Sequence, residues 1–215
     1  MSTPVGLRER KKERTRQHLA DTARALFAER GFERVTVAEI AEAAEVSEAT
    51  VFNYFPRKED LVYRRMEEFE DELLRAVRER PSGESVLHAF GRFVLEPRGF
   101  LAAKDERAAE ALLAVSRMIA TSPVLLARER EILARYTDSL AALIAEETGA
   151  SSDDLRPWVA ANALIGVHRT LIDYVRRRLL DGEVSLPRLA RDVRRRGKAA
   201  LALLEDGLGS YARKA

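Results

Sequence analysis

Ala49, Thr50, Asn53 and Tyr54 lie close together in one short segment and have the side chains to grip a polyanion. Thr50 offers a hydroxyl and a methyl, Asn53 an amide that bonds base edges or phosphate, and Tyr54 a phenol suited to a phosphate oxygen. On a helix these four share one face, while Val51 and Phe55, four apart, turn inward with Val46. Lys58, at the start of the next helix, adds a cation and free amides that can meet the same phosphate backbone. Catalytic chemistry has no comparable signal. Cysteine is absent, and His18, His88 and His168 show no metal-ligand spacing. No glycine-rich phosphate loop or nucleophile, base and acid set is recognisable either. We therefore expect no enzyme, no metal and no cofactor.

A recognition surface of this kind needs a short helix held rigidly. Ser47 can cap a helix over 47–55, and Pro56 stops it, because the residue before a proline avoids helical geometry. Upstream, Thr36 and Glu39 form a Thr-x-x-Glu capping box that opens a helix over 36–44, with Ile40, Ala41 and Ala44 on its buried face. Glu45 and Val46 turn the chain between the two. Leu19, Ala23, Leu26 and Phe27 follow i, i+4, i+7, i+8, which predicts a preceding helix that ends near Arg30 with Gly31 as its stop. Two short helices joined by a tight turn have the dimensions of a helix-turn-helix, whose second helix fits the major groove.

Charge places any interaction with nucleic acid locally. The net charge is only +2, and residues 1–60 hold 11 basic and 11 acidic side chains. Residues 1–7 are expected to be disordered. Arg8, Arg10, Lys11, Lys12, Arg14 and Arg16, against Glu9 and Glu13, form a basic arm running into the first helix. Arg14 and Arg16 are candidates for a minor groove or phosphates, the alternative being a solvated, frayed terminus.

The rest of the chain is also helical by pattern. Breaks fall at Pro81-Ser82-Gly83, Pro97-Arg98-Gly99, Ser122-Pro123, Gly149 and Gly182. Ser185 and Pro187 open the last helix, which fades near Gly207. The expectation is an all-α fold of roughly nine helices, with a DNA-binding domain over 1–60 and a ligand-binding and dimerisation domain over 61–215. At 46% hydrophobic residues the chain can fill such a core. No segment reads as a signal peptide or a membrane span, so a cytoplasmic protein without a membrane partner is expected.

Phe69, Phe90, Phe93, Phe100, Arg117, Met118, Trp158 and Asn162 are candidates for a pocket wall, although aromatic residues on helices are more often ordinary core. Over 154–180, Asn162, Gly166, Arg169 and Asp173 form one stripe beside an apolar stripe of Ala161, Leu164, Ile165, His168, Leu171, Ile172 and Val175. The candidates for a dimer interface are Gly166, His168, Arg169 and Asp173, with Gly166 allowing close approach. The triplets Arg176–Arg178 and Arg194–Arg196 cannot each lie on one helix face, so they read as solvated surface, with an anionic ligand as the minor alternative.

Three runs, TARALFAERGF over 22–32, VTVAEIA over 35–41 and VSEATVFNYFPRKEDL over 46–61, resemble the DNA-binding domain of TetR repressors. The resemblance implies a homodimer on double-stranded operator DNA, with Glu48, Ala49, Thr50 and Phe52 facing bases and Thr36, Tyr54 and Lys58 holding phosphates. Two positions depart from the pattern. Ala38 stands where some relatives carry a base-reading arginine. Glu48 can accept from a cytosine amino group or merely favour the helix dipole. The runs ALLAVSRMI over 111–119, PVL over 123–125 and WVAANALIGVHR over 158–169 are similar to the C-terminal domain of mycofactocin-type TetR regulators. That similarity implies an acyl-CoA-like effector, with Arg98 or Arg117 near its phosphates. The leading expectation is a ligand-released repressor. The alternatives are an activator of the same fold and a helical protein-interaction module whose helix-turn-helix does not function.

Overall fold

The computed structural model describes residues 6–102, 106–182, 185–209 and 211–214, without the side chains of Leu7, Glu9, Glu67, Phe100 and Glu106. Among the described residues the chain forms ten α-helices and one short 3-10 helix. The helices are α1 Leu7–Arg30, α2 Val37–Ala43, α3 Glu48–Tyr54, α4 Asp60–Arg78, α5 Val86–Val94, α6 Glu106–Thr121, α7 Pro123–Thr148, α8 Arg156–Leu180, α9 Leu186–Ala202 and α10 Glu205–Leu208. The 3-10 turn, Gly99–Ala102, follows the Pro97-Arg98-Gly99 break. An isolated bridge between Ser85 and Arg213 is the one β pairing among the described residues. The fold is all-α. The helix beyond the expected nine is α10, because the last long helix ends at Ala202 and a separate turn forms after it.

The chain divides into two compact units. The first comprises residues up to Arg65 together with Met118–Arg128, and the second comprises Met66–Arg117 and Glu129–Ala215. The division falls five residues beyond the expected cut after residue 60, and it adds the α6–α7 corner to the N-terminal unit. Three long-range hydrogen bonds hold that corner there. The Tyr63 hydroxyl donates to the Leu125 carbonyl (2.9 Å), the Ser122 hydroxyl to the Glu33 carboxylate (2.6 Å), and the Arg128 guanidinium to the buried Asp60 (2.8 Å). Leu125 itself is fully buried.

Helix α1 begins at Leu7, so the basic stretch 8–16 is helical rather than an extended arm. Glu13 and Gln17 both accept from the Arg64 guanidinium, which ties this part of α1 to α4. Residues 1–5, the main part of the expected disordered start, lie outside the described residues. The predicted inner face of α1 is buried at Leu19, Ala23 and Phe27, with Leu26 half-buried, and Phe27 packs on Phe32 at a centroid separation of 5.2 Å. Ile40, Ala41, Ala44, Val51, Phe55 and Leu61 complete this core.

In the second unit, Leu171 and Leu179 of α8 pack with Leu189 and Val193 of α9, and Val94, Leu95 and Leu101 lie against them. Gly197 is what lets α9 sit so close: a Cβ there would lie 2.2 Å from Leu95 Cδ2. Gly166, by contrast, has open space where its Cβ would be. Arg80 is almost completely buried and anchors the C-terminal tail. It donates to the carbonyls of Val77 (2.7 Å), Glu84 (3.0 Å) and Ala212 (3.0 Å) and pairs with Glu147 at 2.6 Å.

Candidate nucleic-acid interface

Caps define the two short helices, and the caps were readable residue by residue. The Glu39 backbone N–H donates to Thr36 Oγ1 (3.2 Å), while the Glu39 carboxylate accepts from the Thr36 N–H (2.8 Å) and from its hydroxyl (2.9 Å). Arg30 adds an ion pair to the same carboxylate at 2.5 Å. The Thr36 backbone bond first, then Arg30 and the Thr36 hydroxyl, hold the Glu39 carboxyl down at about 2. Glu45, in the left-handed region at φ 55°, makes the turn, and the Val46 N–H then bonds the Ala41 carbonyl at 2.9 Å. Ser47 caps α3 by accepting from the Thr50 N–H (3.1 Å), and its hydroxyl also shares a hydrogen bond with the Thr50 hydroxyl at 2.9 Å. The Phe55 N–H closes α3 on Val51 (2.8 Å), directly before Pro56.

This frame orients α3. Val51 and Phe55 are each 1% exposed, so the helix is clamped by its back. Its outward face is centred on Glu48, Ala49, Phe52 and Asn53, with Thr50 and Tyr54 half-buried at the flanks. Phe52 is the large apolar member of this face. It is 47% exposed on a helix whose other large apolar residues are buried, a placement that serves contact with something outside the fold rather than the core.

Two expected phosphate ligands are already engaged within the domain. Lys58 Nζ donates to the carbonyls of Phe32 (2.9 Å) and Val35 (3.0 Å) and sits 4.1 Å above the Phe32 ring. An ammonium has three donors, so one N–H remains for a ligand. The exposed Thr36 hydroxyl is committed to the capping box. Arg14 is exposed on α1, whereas Arg16 is half-buried with its guanidinium 5.1 Å above the Phe55 ring.

The pocket candidates do not all converge. Phe69 stacks on His168 (4.6 Å, nearly parallel), lies 5.2 Å from Phe93 and stacks on Tyr136 at 5.8 Å. Phe90 is fully buried. Tyr136, whose hydroxyl donates to the Met66 carbonyl, belongs to this aromatic cluster and was not singled out from sequence; a tyrosine at helical spacing carries no distinguishing mark. The Arg98 guanidinium lies 3.7 Å above the Phe93 ring and pairs with Glu96, so it is engaged locally. Arg117 is exposed, and Met118 belongs to the other unit. The Phe100 side chain lies outside the described residues. Trp158 and Asn162 are on the exposed outer side of α8 instead, the Asn162 amide donating to the Trp158 carbonyl at 2.8 Å.

Burial along α8 follows the two stripes read from sequence. Ala161, Leu164, Ile165 and Leu171 are buried, and Asn162, Arg169 and Asp173 are exposed, with Gly166 half-exposed between them. His168 falls on the inner stripe, and burial pushes its imidazole down to about 4.

Residues 19–64 match the family model described as bacterial regulatory proteins, tetR family, and residues 85–208 match that of the MftR C-terminal domain. The chain belongs to the TetR family. It is 34% identical over 161 residues to the HTH-type transcriptional regulator TcmR of Streptomyces glaucescens, covering 73% of this chain and 71% of that protein. Two solved structures share the fold. SmeT in its complex with triclosan has a TM-score of 0.55 at 19% identity and covers 89% of this chain and 90% of its own. FadR from Bacillus subtilis, in complex with stearoyl-CoA, has a TM-score of 0.51 at 22% identity, with coverage of 89% and 98%. As a TetR-family member, this chain is a helix-turn-helix DNA-binding transcriptional regulator. No single helix among the described residues is long and apolar enough to cross a membrane.

Proposed function

We propose that the protein is a homodimeric repressor that binds a palindromic operator through α3 and is released by a small hydrophobic or acyl-CoA-like effector. The observation that carries this reading is the two-sided character of α3. Its back is buried at Val51 and Phe55, and its outward face presents Glu48, Ala49, Phe52 and Asn53 to solvent. In this reading Glu48, Ala49, Thr50 and Phe52 meet base edges, where Phe52 suits a thymine methyl. Asn53, Tyr54, the third N–H of Lys58 and the exposed Thr36 meet the phosphate backbone, and Arg14 and Arg16 add charge from α1.

The outer face of α8 supports pairing of two copies. Leu155 is 70% exposed, Val159 63% and Trp158 48%, and Asn162, Gly166, Arg169 and Asp173 continue the same side. A monomer would leave this apolar patch in water, and a two-fold pairing would cover it. Such a dimer sets two recognition helices about 34 Å apart, in successive major grooves. The match of residues 85–208 to the MftR C-terminal domain, and the complexes of FadR with stearoyl-CoA and SmeT with triclosan, favour a hydrophobic effector. An effector that prefers a different spacing of the two helices lowers operator affinity by linkage, and repression ends.

The test is selection of DNA from a random pool by the purified protein, followed by binding to the enriched sequence at several salt concentrations with and without long-chain acyl-CoA. An enriched palindrome released by acyl-CoA is expected. A palindrome indifferent to it removes the effector class and keeps the operator; no enriched sequence overturns the reading.

A further inference from the structure

His168 points from the inner stripe of α8 into the aromatic cluster of the second unit. Its imidazole lies nearly parallel to the Phe69 ring at 4.6 Å; Phe69 in turn stacks on Tyr136 at 5.8 Å, and Phe93 is tilted against it at 5.2 Å. Neighbouring polar groups are engaged. The Tyr136 hydroxyl donates to the Met66 carbonyl, Arg176 pairs with Glu129 about two turns further along the same face of α8, and Arg98, above the Phe93 ring, pairs with Glu96. His168 differs, because neither ring nitrogen has a hydrogen-bond partner among the described residues. Burial alone, with no charge or hydrogen bond beside it, holds the imidazole down at about 4, so the ring is neutral at pH 7. Protein packs around it on all sides, yet the side chain keeps part of its surface accessible. The surroundings are otherwise apolar: Leu171, three residues on, belongs to the cluster against which Leu112, Leu113 and Val167 pack.

We infer that the accessible part of His168 lines the effector site inside this unit, and that it receives an uncharged hydroxyl or carbonyl oxygen of an otherwise apolar molecule. The inference rests on the effector reading above and narrows its chemistry. A neutral imidazole carries one N–H donor and one bare nitrogen acceptor, and leaving both unmatched in the interior is costly. A hydroxyl can answer either nitrogen, and a carbonyl can accept from the N–H. A carboxylate or phosphate at the same place would be buried without a counter-charge, since Arg98 and Arg176 already have carboxylate partners. A wholly apolar molecule would cover the nitrogens and give them nothing, so a site of this kind discriminates against an analogue that lacks the oxygen. The stack on Phe69 holds the imidazole plane and thereby fixes the directions in which its nitrogens can bond.

Equilibrium dialysis of the full-length protein against naphthalene, 2-naphthol, 2-acetylnaphthalene and 2-naphthoate tests the site with four probes that share one ring system. The naphthol, the acetylnaphthalene or both should bind about fivefold or more tightly than naphthalene and the naphthoate, and which of the two leads separates a hydroxyl from a carbonyl. In His168→Phe, which keeps the stack on Phe69, the advantage of the oxygen should vanish while naphthalene still binds. His168→Gln keeps a donor and an acceptor and should retain part of that advantage, which keeps the test decisive should the phenylalanine variant be misfolded by circular dichroism. Equal binding of naphthalene and the oxygen-bearing probes, tightest binding of the naphthoate, binding of none of the four, or a preference that survives His168→Phe overturns the inference. Operator binding measured on the same samples without a probe separates the two readings. An operator held normally by a protein whose probe preference ignores His168 removes this inference alone, and failure to enrich any operator removes the repressor reading on which it rests.

Discussion

Replacing Lys58 with methionine tests whether this residue acts on DNA, on the fold, or on both. Methionine keeps most of the apolar stem over Phe32 but removes the ammonium. Two charge-assisted hydrogen bonds are lost, to the carbonyls of Phe32 (2.9 Å) and Val35 (3.0 Å), together with the cation–π contact at 4.1 Å. Each such bond contributes about 1.5–3 kcal/mol and the ring contact about 0.5–1 kcal/mol. Lys58 is half-buried, so water partly replaces what is removed, and a net loss of about 3 kcal/mol is expected. At about 2–4 °C per kcal/mol for a chain of this size, the calorimetric midpoint should fall by roughly 6–12 °C. Operator titrations at several salt concentrations then read the remaining N–H. Loss of one phosphate contact per half-site lowers the slope of log affinity against log salt by about one for each copy. A midpoint within about 2 °C of the wild type would refute the stabilising role given to the Lys58 bonds to the Phe32 and Val35 carbonyls.

Further substitutions address the other elements. Tyr54→Phe should weaken binding across many DNA sequences, whereas Thr50→Ala should relax preference at one position of each half-site by about 1–3 kcal/mol; wild-type affinity and preference in both would refute the recognition face assigned to α3. Arg80→Met leaves Glu147 and three carbonyls without their buried partner, and should cost about 3–5 kcal/mol in urea unfolding, a loss below 1 kcal/mol refuting the anchor. His168 titrates at about 4 in the fold against 6.5 when unfolded, because burial disfavours its charged form. The unfolded chain therefore takes up the proton first, so stability is full above about 6.5 and falls as the pH drops towards 4, by on the order of 3 kcal/mol. His168→Phe keeps the stack on Phe69 and should flatten that part of the profile, and parallel urea midpoints for the two proteins across this range would refute it.

What was legible in the sequence was whatever depends on neighbours a few residues apart. The Thr36–Glu39 box, the Ser47 cap and the Pro56 stop each act within four residues, and all three set helix ends as expected. The inner stripe of α8 was readable for the same reason, since a helical repeat needs no knowledge of what it packs against. The α6–α7 corner was not readable. Its bonds join Ser122 to Glu33 and Arg128 to Asp60, residues 89 and 68 positions apart, and nothing local marks Glu33 or Asp60 as partners. Ser122 before Pro123 looked like a helix start alone, yet its hydroxyl donates to Glu33, just beyond α1.

Charged side chains were hardest to read for a related reason. A lysine or arginine has a long stem, so its head group is placed by whichever carbonyl, ring or carboxylate the fold brings within reach. Lys58 matched a phosphate-binding position, and the fold supplies two carbonyls and a ring as well. The same ion can therefore stiffen the frame of α3 and still hold one N–H for DNA. On α9 the outcome runs the other way. Arg188 and Arg191 stay exposed, while Arg195 on the same helix pairs with Asp192. A net charge of +2 therefore does not show which cations the fold satisfies from within and which it leaves in water.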